Sequence, residues 1–556
     1  MKNCKQCKSQ FKVSDKDKAF YDKVSPIIAG KKFSIPDPTM CPDCRMQRRM
    51  VWRNERNLYR RKCDATGQSI ISWIAPDKPH IAYKKDEWWS DKWDAQDFGR
   101  DFDFSRPFFD QLDELIKEVP WLDLLYDRSV NSEYVNFCNN NKDCYLLFAS
   151  NNNENCYYSN SLWNCRDLIE CFQAFDCELC YGCVEINSCY NTKYSKNCTN
   201  CSECFFCENC QNCKNCFGSV NLVGKEYVFM NEELNKEDYE NRMQNLNLDS
   251  YERVQEARKF FKKHRLKFPM RFANIINCEN CTGDVLKNCK NVQFGFDTSG
   301  AEDCKWVGLC AEPIKDCYDS YGLEDVELCH ETVVVGVPSS NVLFSSYVWL
   351  NANDVLYCIE CPGTQNSFGC VNLHKGKYCI LNKQYSKEEY EDLVPKIIKH
   401  MESTGEWGEF FPHNLSPFDY NETIAQDYFP LTEEEAIKKG FRWSKKESKE
   451  YQPSTYQTPD SIKEVPDDIC NKVLACSKCS KNYKIIDREL NYYKNHNIPI
   501  PQMCMDCRIT TLLNMRNPRK LFSRKCDKCQ SEIQTSYSSD SPEKVYCEAC
   551  YLKEVY

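Results

Sequence analysis

Cysteine pairs at the two ends of the chain have the spacing of metal-binding knuckles. Two Cys-x2-Cys pairs about 25–35 residues apart suit tetrahedral zinc, because each pair offers two thiolates from a tight turn. The predicted ligands form three sets of four: Cys4, Cys7, Cys41 and Cys44; Cys476, Cys479, Cys504 and Cys507; Cys526, Cys529, Cys547 and Cys550. The sequence therefore predicts about three Zn²⁺ ions per chain. Redox pairs or disulfides are the alternative for the same residues.

The two ends are copies of one module. Adding 463 to the residue number places residues 35–45 on residues 498–508, and the match continues without a gap to Asp64 and Asp527. The C-terminal copy carries a second cysteine set, whereas the N-terminal copy keeps Cys63 but has Thr66 in place of its partner. We therefore expect the second N-terminal site to be degenerate and Cys63 to be a free thiol.

An arginine-rich segment follows the first knuckles of each copy. In a chain of net charge −9, such a segment is a local positive field that suits phosphate groups. The candidate nucleic-acid contacts are Arg45, Arg48, Arg49, Arg53, Arg56, Arg508, Arg516, Arg519 and Arg524. The alternatives are a solvated face or ion pairs between these arginines and acidic regions of the protein itself.

A cysteine lattice occupies the middle of the chain. Sixteen cysteines lie from Cys138 to Cys216, and every one has a residue number divisible by three. No charged residue shares this phase, and the preceding position is often Asn, Asp or Glu. A period of three fits neither a helix nor a plain strand, but it fits a β-solenoid in which one residue per triplet faces a narrow interior. Structural thiols are therefore favoured over a multi-metal cluster or iron–sulfur ligation.

A second tract, from Cys278 to Cys379, has the same character with looser spacing. Both tracts end in a Phe-Gly-x-Val-Asn-Leu motif, and Ser386-x-x-Glu389 after the second is a capping box that starts a helix. The sequence thus predicts a mainly β, multidomain protein: two tandem Cys-rich β-solenoid-like tracts with helical caps, flanked by duplicated zinc-ribbon modules.

The predicted boundaries follow these changes of pattern. In order, the segments are an N-terminal zinc-ribbon module (1–64), a Trp-rich domain (65–130), a first solenoid with its capping helix (131–265), a second with its helix (266–402), a C-terminal extension of the solenoid (403–445), a flexible linker (446–469) and a double zinc-ribbon module (470–556).

Residues around the knuckles add a resemblance. Phe11, the run Phe20-Tyr21-x-Lys23 and the ending Pro-x2-Cys-x2-Cys-Arg resemble a bacterial zinc-ribbon family, and the C-terminal copy has the same layout. The order of segments along the whole chain is similar to a Cys-rich family of candidate-phyla bacteria. The resemblance implies the ribbon fold, zinc and a bacterial cytosolic setting, and it leaves the activity open. A CoA-transferase label on some members finds no support here, because the sequence has no dinucleotide-type glycine loop.

Catalytic motifs are missing from the sequence. Its 7 histidines are scattered, and each zinc set is a closed group of four cysteines, whereas a catalytic zinc keeps an open position. We therefore predict a non-catalytic scaffold or interaction protein whose partner is a protein or a nucleic acid. The alternatives are a metal-dependent or redox enzyme and a metal-storage protein that uses the central cysteines.

Compartment and membrane association follow from the same composition. The apolar runs fall short of the ~18–20 residues that a membrane helix needs, and the first residues form no signal core. The 41 cysteines are an odd number, which cannot pair completely. We therefore expect no membrane association and a cytoplasmic location.

Overall fold

The computed structural model describes residues 1–310, 314–322, 326–336, 339–348, 351–445, 451–454 and 456–555. Parallel β-coils dominate it, which confirms the predicted mainly β class with its solenoids. No helix of the described residues has the length and apolar content that crossing a lipid bilayer requires.

Short hairpins and two helices make up the N-terminal Cys-rich module, which keeps the name N-terminal ribbon after the prediction. Its elements are β1 (Lys2–Asn3), β2 (Gln10–Phe11), α1 (Asp15–Val24), β3 (Ile27–Ile28), β4 (Lys31–Lys32), α2 (Pro42–Met50), β5 (Tyr59–Lys62) and β6 (Ser69–Ser72). Strands β5 and β6 pair across the boundary that the sequence placed at residue 64, so the ribbon continues into the Trp-rich segment. That segment adds β7 (Ala82–Tyr83), α3 (Lys85–Trp88), α4 (Phe108–Glu118) and β8 (Trp121–Leu122).

The first solenoid is a stack of parallel coils. Its strands are β9 (Tyr126–Asp127), β10 (Asn136–Asn139), β11 (Tyr145–Asn151), β12 (Tyr157–Trp163), β13 (Phe172–Phe175), β14 (Val184–Asn187), β15 (Ser202–Phe205), β16 (Lys214–Phe217), β17 (Glu226–Phe229) and β18 (Glu232–Glu233). Tyr145 pairs with Tyr157 and Phe172 with Val184, so each coil takes 12 residues. The antiparallel strand β18 closes the stack, and α5 (Lys236–Asn245) and α6 (Tyr251–Arg265) follow.

In the first solenoid, a residue in the left-handed conformation, with positive φ, precedes each position whose side chain faces inward. Asn140, Asn152 and Asn164, for example, have φ of 54°, 59° and 55°. Asn and Asp tolerate this conformation better than most residues, which explains why they so often precede the cysteines. The chain therefore turns a corner once in every triplet.

The inward thiols are hydrogen-bonded to the backbone. Cys177 Sγ donates to the carbonyl of Phe175 at 3.1 Å and accepts the N–H of Cys189, one coil later, at 3.4 Å. Ser159 Oγ accepts the N–H of Cys171 in the same way, at 3.0 Å. Short side chains with a sulfur or oxygen atom therefore satisfy amides that point into the interior. This explains why Ser replaces Cys in phase and Lys does not.

The second solenoid follows β19 (Met270–Arg271). Its strands are β20 (Ile275–Ile276), β21 (Gly283–Lys287), β22 (Gly295–Ser299), β23 (Ala301–Glu302), β24 (Lys305–Cys310), β25 (Ile314–Tyr321), β26 (Val326–Val335), β27 (Ser339–Leu343), β28 (Ser346–Val348), β29 (Asn353–Leu356), β30 (Gln365–Phe368), β31 (Cys379–Ile380) and β32 (Lys383–Gln384). Its coils take 11, 12 or 13 residues, and each change of length shifts the inward phase. The capping helix α7 (Lys387–Thr404) begins at the predicted capping box.

The sequence suggested that residues 403–445 extend the solenoid. In the structure this segment, which follows α7, forms short helices instead of further coils. It contains α8 (Ala425–Tyr428) and α9 (Glu433–Lys438) and packs on the N-terminal ribbon. The N–H of Ile424 donates to the Arg53 carbonyl at 2.9 Å, and Gln47 donates to the Tyr420 hydroxyl at 2.7 Å.

The predicted linker, 446–469, lies partly outside the described residues, at 446–450 and 455. Its later part packs on the cap of the first solenoid, where Ser461 Oγ donates to Asp249 at 2.7 Å. The C-terminal module then comprises β33 (Leu474–Ala475), β34 (Asn482–Tyr483), α10 (Asp487–Asn495), α11 (Met505–Leu513), β35 (Phe522–Lys525), β36 (Glu532–Thr535), β37 (Val545–Tyr546) and α12 (Glu548–Val555). Short 3₁₀ turns lie at Ala95–Phe98, His413–Leu415, Tyr420–Glu422, Ile462–Glu464 and Asp467–Asn471.

Candidate metal centres and ribbon–solenoid interfaces

The structure brings the predicted cysteine ligands together in three tetrads. In each tetrad the four Sγ atoms lie within 4.8 Å of one another, and the sets are those predicted: Cys4, Cys7, Cys41 and Cys44; Cys476, Cys479, Cys504 and Cys507; Cys526, Cys529, Cys547 and Cys550. One Sγ–Sγ distance in each is 3.6 Å. Tetrahedral Zn²⁺ with Zn–S bonds of about 2.3 Å separates its sulfurs by about 3.8 Å. The donor sets therefore fit a metal ion of this kind.

Backbone amides stabilise the thiolates of these knuckles. The N–H of Cys41 donates to Cys4 Sγ at 3.3 Å, and the N–H of Cys547 donates to Cys526 Sγ at 3.2 Å. The hydroxyl and the N–H of Ser531 lower the pKa of the Cys529 thiol to about 6. Because metals bind the deprotonated sulfur, these contacts prepare the cysteines as ligands.

The fourth, degenerate site keeps one of its four cysteines, Cys63, and the amide–sulfur contact at that cysteine. The N–H of Lys84 donates to Cys63 Sγ at 3.3 Å, as that of Cys547 does to Cys526 in the other copy. With 463 added to the residue number, Thr66, Lys84 and Glu87 fall on Cys529, Cys547 and Cys550. Cys63 is therefore a single buried thiol, as the sequence predicted.

The candidate nucleic-acid arginines lie mostly inside the protein. Six of them are at most 7% exposed: Arg45, Arg48, Arg49, Arg53, Arg508 and Arg519. Side chains of Arg516, Arg56 and Arg524 are 5%, 18% and 12% exposed. Their guanidinium groups pair with carboxylates of the chain, which is the alternative that the sequence left open. Solvent therefore reaches little of these side chains.

Corresponding arginines bind each ribbon to a solenoid. We call the contact of Arg45 with Asp319 the N-terminal clamp and that of Arg508 with Glu170 the C-terminal clamp. Arg45 donates two hydrogen bonds to Asp319 of the second solenoid, at 3.0 and 2.9 Å. Its counterpart Arg508 donates to Glu170 of the first solenoid at 2.7 Å and to Glu489 of its own ribbon at 3.1 Å. The N-terminal ribbon therefore docks on the second solenoid and the C-terminal ribbon on the first.

The remaining arginines of α2 enlarge the N-terminal clamp. Arg48 and Arg49 donate to the two oxygens of Glu331, at 3.2 and 3.1 Å. Arg48 also donates to Glu409 at 2.7 Å. Further along the chain, Arg56 forms a two-pronged ion pair with Asp427.

Arginines of the C-terminal ribbon also join the two solenoids. Arg516 pairs with Glu185 of the first solenoid at 3.1 Å and with Asp297 of the second at 2.7 Å. Arg519 contacts the same Asp297. Burial alone would raise the pKa of Asp297, but the two guanidinium groups outweigh it and lower the pKa to about 2. Arg524 makes a shallower pair with Asp527 at 2.9 Å.

Arg53, the N-terminal counterpart of Arg516, lies between the solenoids as well. It pairs with Glu55 at 2.5 Å. Its guanidinium carbon lies 4.8 Å from the Phe137 ring of the first solenoid and 5.1 Å from the Tyr321 ring of the second. Each ribbon therefore contacts both solenoids.

The clamp carboxylates belong to one corner column in each solenoid. Successive coils place Trp306, Asp319, Glu331, Phe344, Tyr357, Gly369 and Leu381 in the second column, and Tyr158, Glu170, Gly182, Tyr194, Phe206, Gly218 and Met230 in the first. Arg45 lies 4.8 Å from the Trp306 ring and Arg508 lies 4.5 Å from the Tyr158 ring. The two clamps are therefore equivalent in sequence and in space.

Sequence reasoning missed these carboxylates. Arg45 and Asp319 are 274 residues apart, and Arg508 and Glu170 are 338 residues apart. The available signal was an acidic residue at the corner position with an aromatic residue one coil earlier. A comparison with known proteins adds no relative, because neither a protein-family model nor a curated protein matches the chain.

Proposed function

We propose that the protein is a zinc-stabilised, non-catalytic scaffold in which two ribbon modules hold two β-solenoids together. One observation carries the proposal: in the first and second tetrads, the last cysteine is followed directly by the clamp arginine. Cys44 precedes Arg45 and Cys507 precedes Arg508, and all four residues lie in the first turn of a helix, α2 or α11. Metal binding and docking therefore act on the same helical turn.

The bound metal contributes by fixing the start of each docking helix. Two of its four thiolates, Cys41 and Cys44, belong to the turn that presents Arg45. Because a preformed site rarely exists in an unfolded chain, binding free energy at such a site becomes folding free energy. Loss of the ion is expected to release the turn, and with it the ion pairs on the solenoid corner.

A protein partner suits this scaffold better than a nucleic acid. The candidate phosphate contacts are already used in internal ion pairs, such as Arg45 with Asp319. We further propose a reducing compartment such as the cytoplasm, since inward thiols of the first solenoid, such as that of Cys177, donate to backbone carbonyls and form no disulfide.

Metal analysis of the purified full-length protein tests the proposal. About three zinc ions per chain are expected, with one ion lost in Cys526→Ser and none in the matched control Cys63→Ser. Seven or more bound metal ions would favour storage by the central cysteines, and an absence of zinc from the isolated protein would contradict the scaffold.

Hydrogen exchange tests the link between metal and docking. Removing the metal, or the change Cys507→Ser, should speed exchange in α11 and at the solenoid corner around Glu170. Unchanged exchange around Glu170 in the metal-free protein would separate metal binding from docking and contradict the proposed role of the ion.

A further inference from the structure

A cavity of about 50 Å³ lies where the first solenoid, α6 and the C-terminal ribbon meet. Its lining includes Gly182 and Glu170 of the corner column, Arg258 of α6, and Arg508 and Thr511 of α11. It lies directly beside the C-terminal clamp. The equivalent region of the N-terminal half contains a carboxylate that this cavity lacks.

In the N-terminal half, the equivalent space is filled by a carboxylate. Glu331 follows Asp319 by one coil, and it accepts hydrogen bonds from Arg48 and Arg49. In the C-terminal half, the residue one coil after Glu170 is Gly182. The positions of Arg48 and Arg49 are taken by Thr511 and Leu512. This half therefore lacks one carboxylate at the corner.

Two donors at the cavity have no acceptor. Among the residues that the structure describes, none accepts a hydrogen bond from Nε of Arg508 or Nε of Arg258, and both atoms are buried. Arg508 is only 3% exposed, and Arg258 lies with its guanidinium carbon 5.5 Å from the Tyr194 ring. A buried donor without an acceptor costs free energy, because it has lost its hydrogen bond to water. An incoming acceptor would recover that free energy.

The charge and size of the cavity define the acceptor. Its lining carries two guanidinium groups and one carboxylate, Glu170, whose Oε1 already accepts from Arg508 at 2.7 Å and from Tyr181 at 3.2 Å. A second carboxylate, Glu489, lies outside the lining and accepts from Nη1 of Arg508 at 3.1 Å, so the donors left for a ligand are the Nε atoms of Arg508 and Arg258. A buried water needs about 10–15 Å³, so this volume suits a group of about three or four heavy atoms.

We propose that this cavity binds a small carboxylate, whose oxygens accept from Nε of Arg508 and Nε of Arg258 and take the place that Glu331 occupies in the other half. The carboxylate is supplied by a free short-chain acid or by the C-terminus of a peptide, since both present the same group. The site is distinct from the metal centres, because none of the tetrad cysteines lines it.

Calorimetric titration of the zinc-loaded, full-length protein with sodium acetate tests the site. One binding event with a millimolar dissociation constant is expected. Arg258→Gln should weaken it at least tenfold, whereas the matched control Arg253→Gln, on the exposed side of the same helix, should leave it unchanged. No binding heat at 50 mM acetate, or equal affinity in Arg258→Gln, would overturn the proposal.

A second variant supplies the missing carboxylate from the chain. Gly182→Glu should abolish acetate binding because its side chain would fill the cavity. Glutamate already adopts a left-handed corner at Glu331, with φ of 51°, and Gly182 has φ of 64°. An added Cβ would meet Cδ1 of Tyr194 at 3.1 Å, so the Tyr194 ring must shift slightly to admit it. Wild-type affinity for acetate in a folded Gly182→Glu protein would place the ligand elsewhere and contradict the proposal.

A third arm separates the two sources of the carboxylate. The probes are an N-acetylated alanine tripeptide with a free C-terminus and the same peptide amidated. Tighter binding of the free peptide than of acetate indicates a peptide C-terminus, and tighter binding of acetate indicates a free acid. Both outcomes support the site, whereas equal binding of the amidated peptide contradicts it.

Discussion

In each half of the molecule a ribbon docks on a solenoid, but the two halves use different side chains at the contact. In the N-terminal half, three arginines of one helix meet Asp319, Glu331 and Glu409. In the C-terminal half, a single arginine meets Glu170 and Glu489, and two tyrosine hydroxyls, those of Tyr158 and Tyr493, donate to Glu489. Among the described residues, the carboxylates of the N-terminal clamp therefore pair with several arginines, whereas those of the C-terminal clamp pair with one.

The candidate metal centres differ in the opposite sense. The C-terminal module has two complete cysteine tetrads, and the N-terminal module has one tetrad and the remains of another around Cys63. The half whose clamp has fewer ion pairs thus has more candidate metal ligands. The duplication kept the clamp arginine in both copies and let the supporting interactions diverge.

Removing the clamp arginine should affect the two halves unequally. Arg508→Met leaves Glu170 and Glu489 buried without a cation, and breaking such a pair typically costs 3–5 kcal/mol. Arg45→Met should cost less, because Arg49 stays 3.4 Å from Asp319. Chemical denaturation of the zinc-loaded protein measures both losses, with the more exposed Arg524→Met as the control. Equal losses of unfolding free energy for Arg45→Met and Arg508→Met would mean that the other arginines of α2 do not compensate for the loss of Arg45.

The first solenoid should depend on the polar atom of its inward side chains. Cys177→Ala removes the acceptor of the Cys189 N–H, and we expect it to lower the free energy of unfolding by roughly 1–3 kcal/mol. Cys177→Ser keeps an acceptor, so it should cost less than Cys177→Ala. Cys177→Lys should be far worse than either, because it places a charge in the interior. Thermal unfolding ranks the three variants, and a lysine tolerated as well as alanine would show that this position does not face inward.

Acid should weaken the contact between the C-terminal ribbon and the second solenoid. The folded pKa of Asp297 is about 2, below the ordinary value of 3.8. Its stabilisation is therefore fully present above pH ~4 and is lost as the pH falls through the folded pKa, a loss of about 2 kcal/mol. Denaturation curves between pH 5 and pH 2 measure it. Asp297→Asn should flatten that part of the profile, and a variant with the wild-type acid slope would assign the loss to other carboxylates.

The degenerate site should be repairable. Thr66→Cys, Lys84→Cys and Glu87→Cys together with Cys63 recreate the ligand set of the C-terminal copy, whose amide–sulfur geometry the site already shares. Metal analysis should then find one more zinc ion per chain, and the zinc-loaded protein should have a higher free energy of unfolding than the metal-free one. The same triple change in a Cys63→Ser background is the control. An unchanged metal content in the repaired protein would mean that the turn has lost its ability to hold an ion.

Local patterns in the sequence were enough to predict the knuckles and the triplet phase. Cys504 and Cys507 are three residues apart on one turn, and Cys177, Cys180 and Cys183 keep a phase that only a repeated coil explains. The preference for Asn before the cysteines was visible too, but its cause, a left-handed corner as at Asn164, needed the backbone.

The arginines show what sequence reasoning could not decide. Arg45 and Arg508 each lie in a basic run of the sequence, and their partners on the solenoids, Asp319 and Glu170, are 274 and 338 residues away. Local charge density therefore left both an exposed positive field and internal ion pairs open. Nothing in the neighbourhood of Arg508 indicates that Glu170 faces it, because that contact depends on how whole domains pack.

The crossed docking of ribbons and solenoids has a consequence for synthesis on the ribosome. The first ribbon leaves the exit tunnel early, but Asp319, its anchor, is added 274 residues after Arg45. At ~5–20 residues per second, the two are separated by about 14–55 s of elongation. Contacts between residues so far apart in the sequence form slowly, since a long loop must close before they stabilise the fold. The first solenoid can propagate coil by coil in the meantime, and the nascent ribbon must keep its arginine face solvated until its partner has emerged.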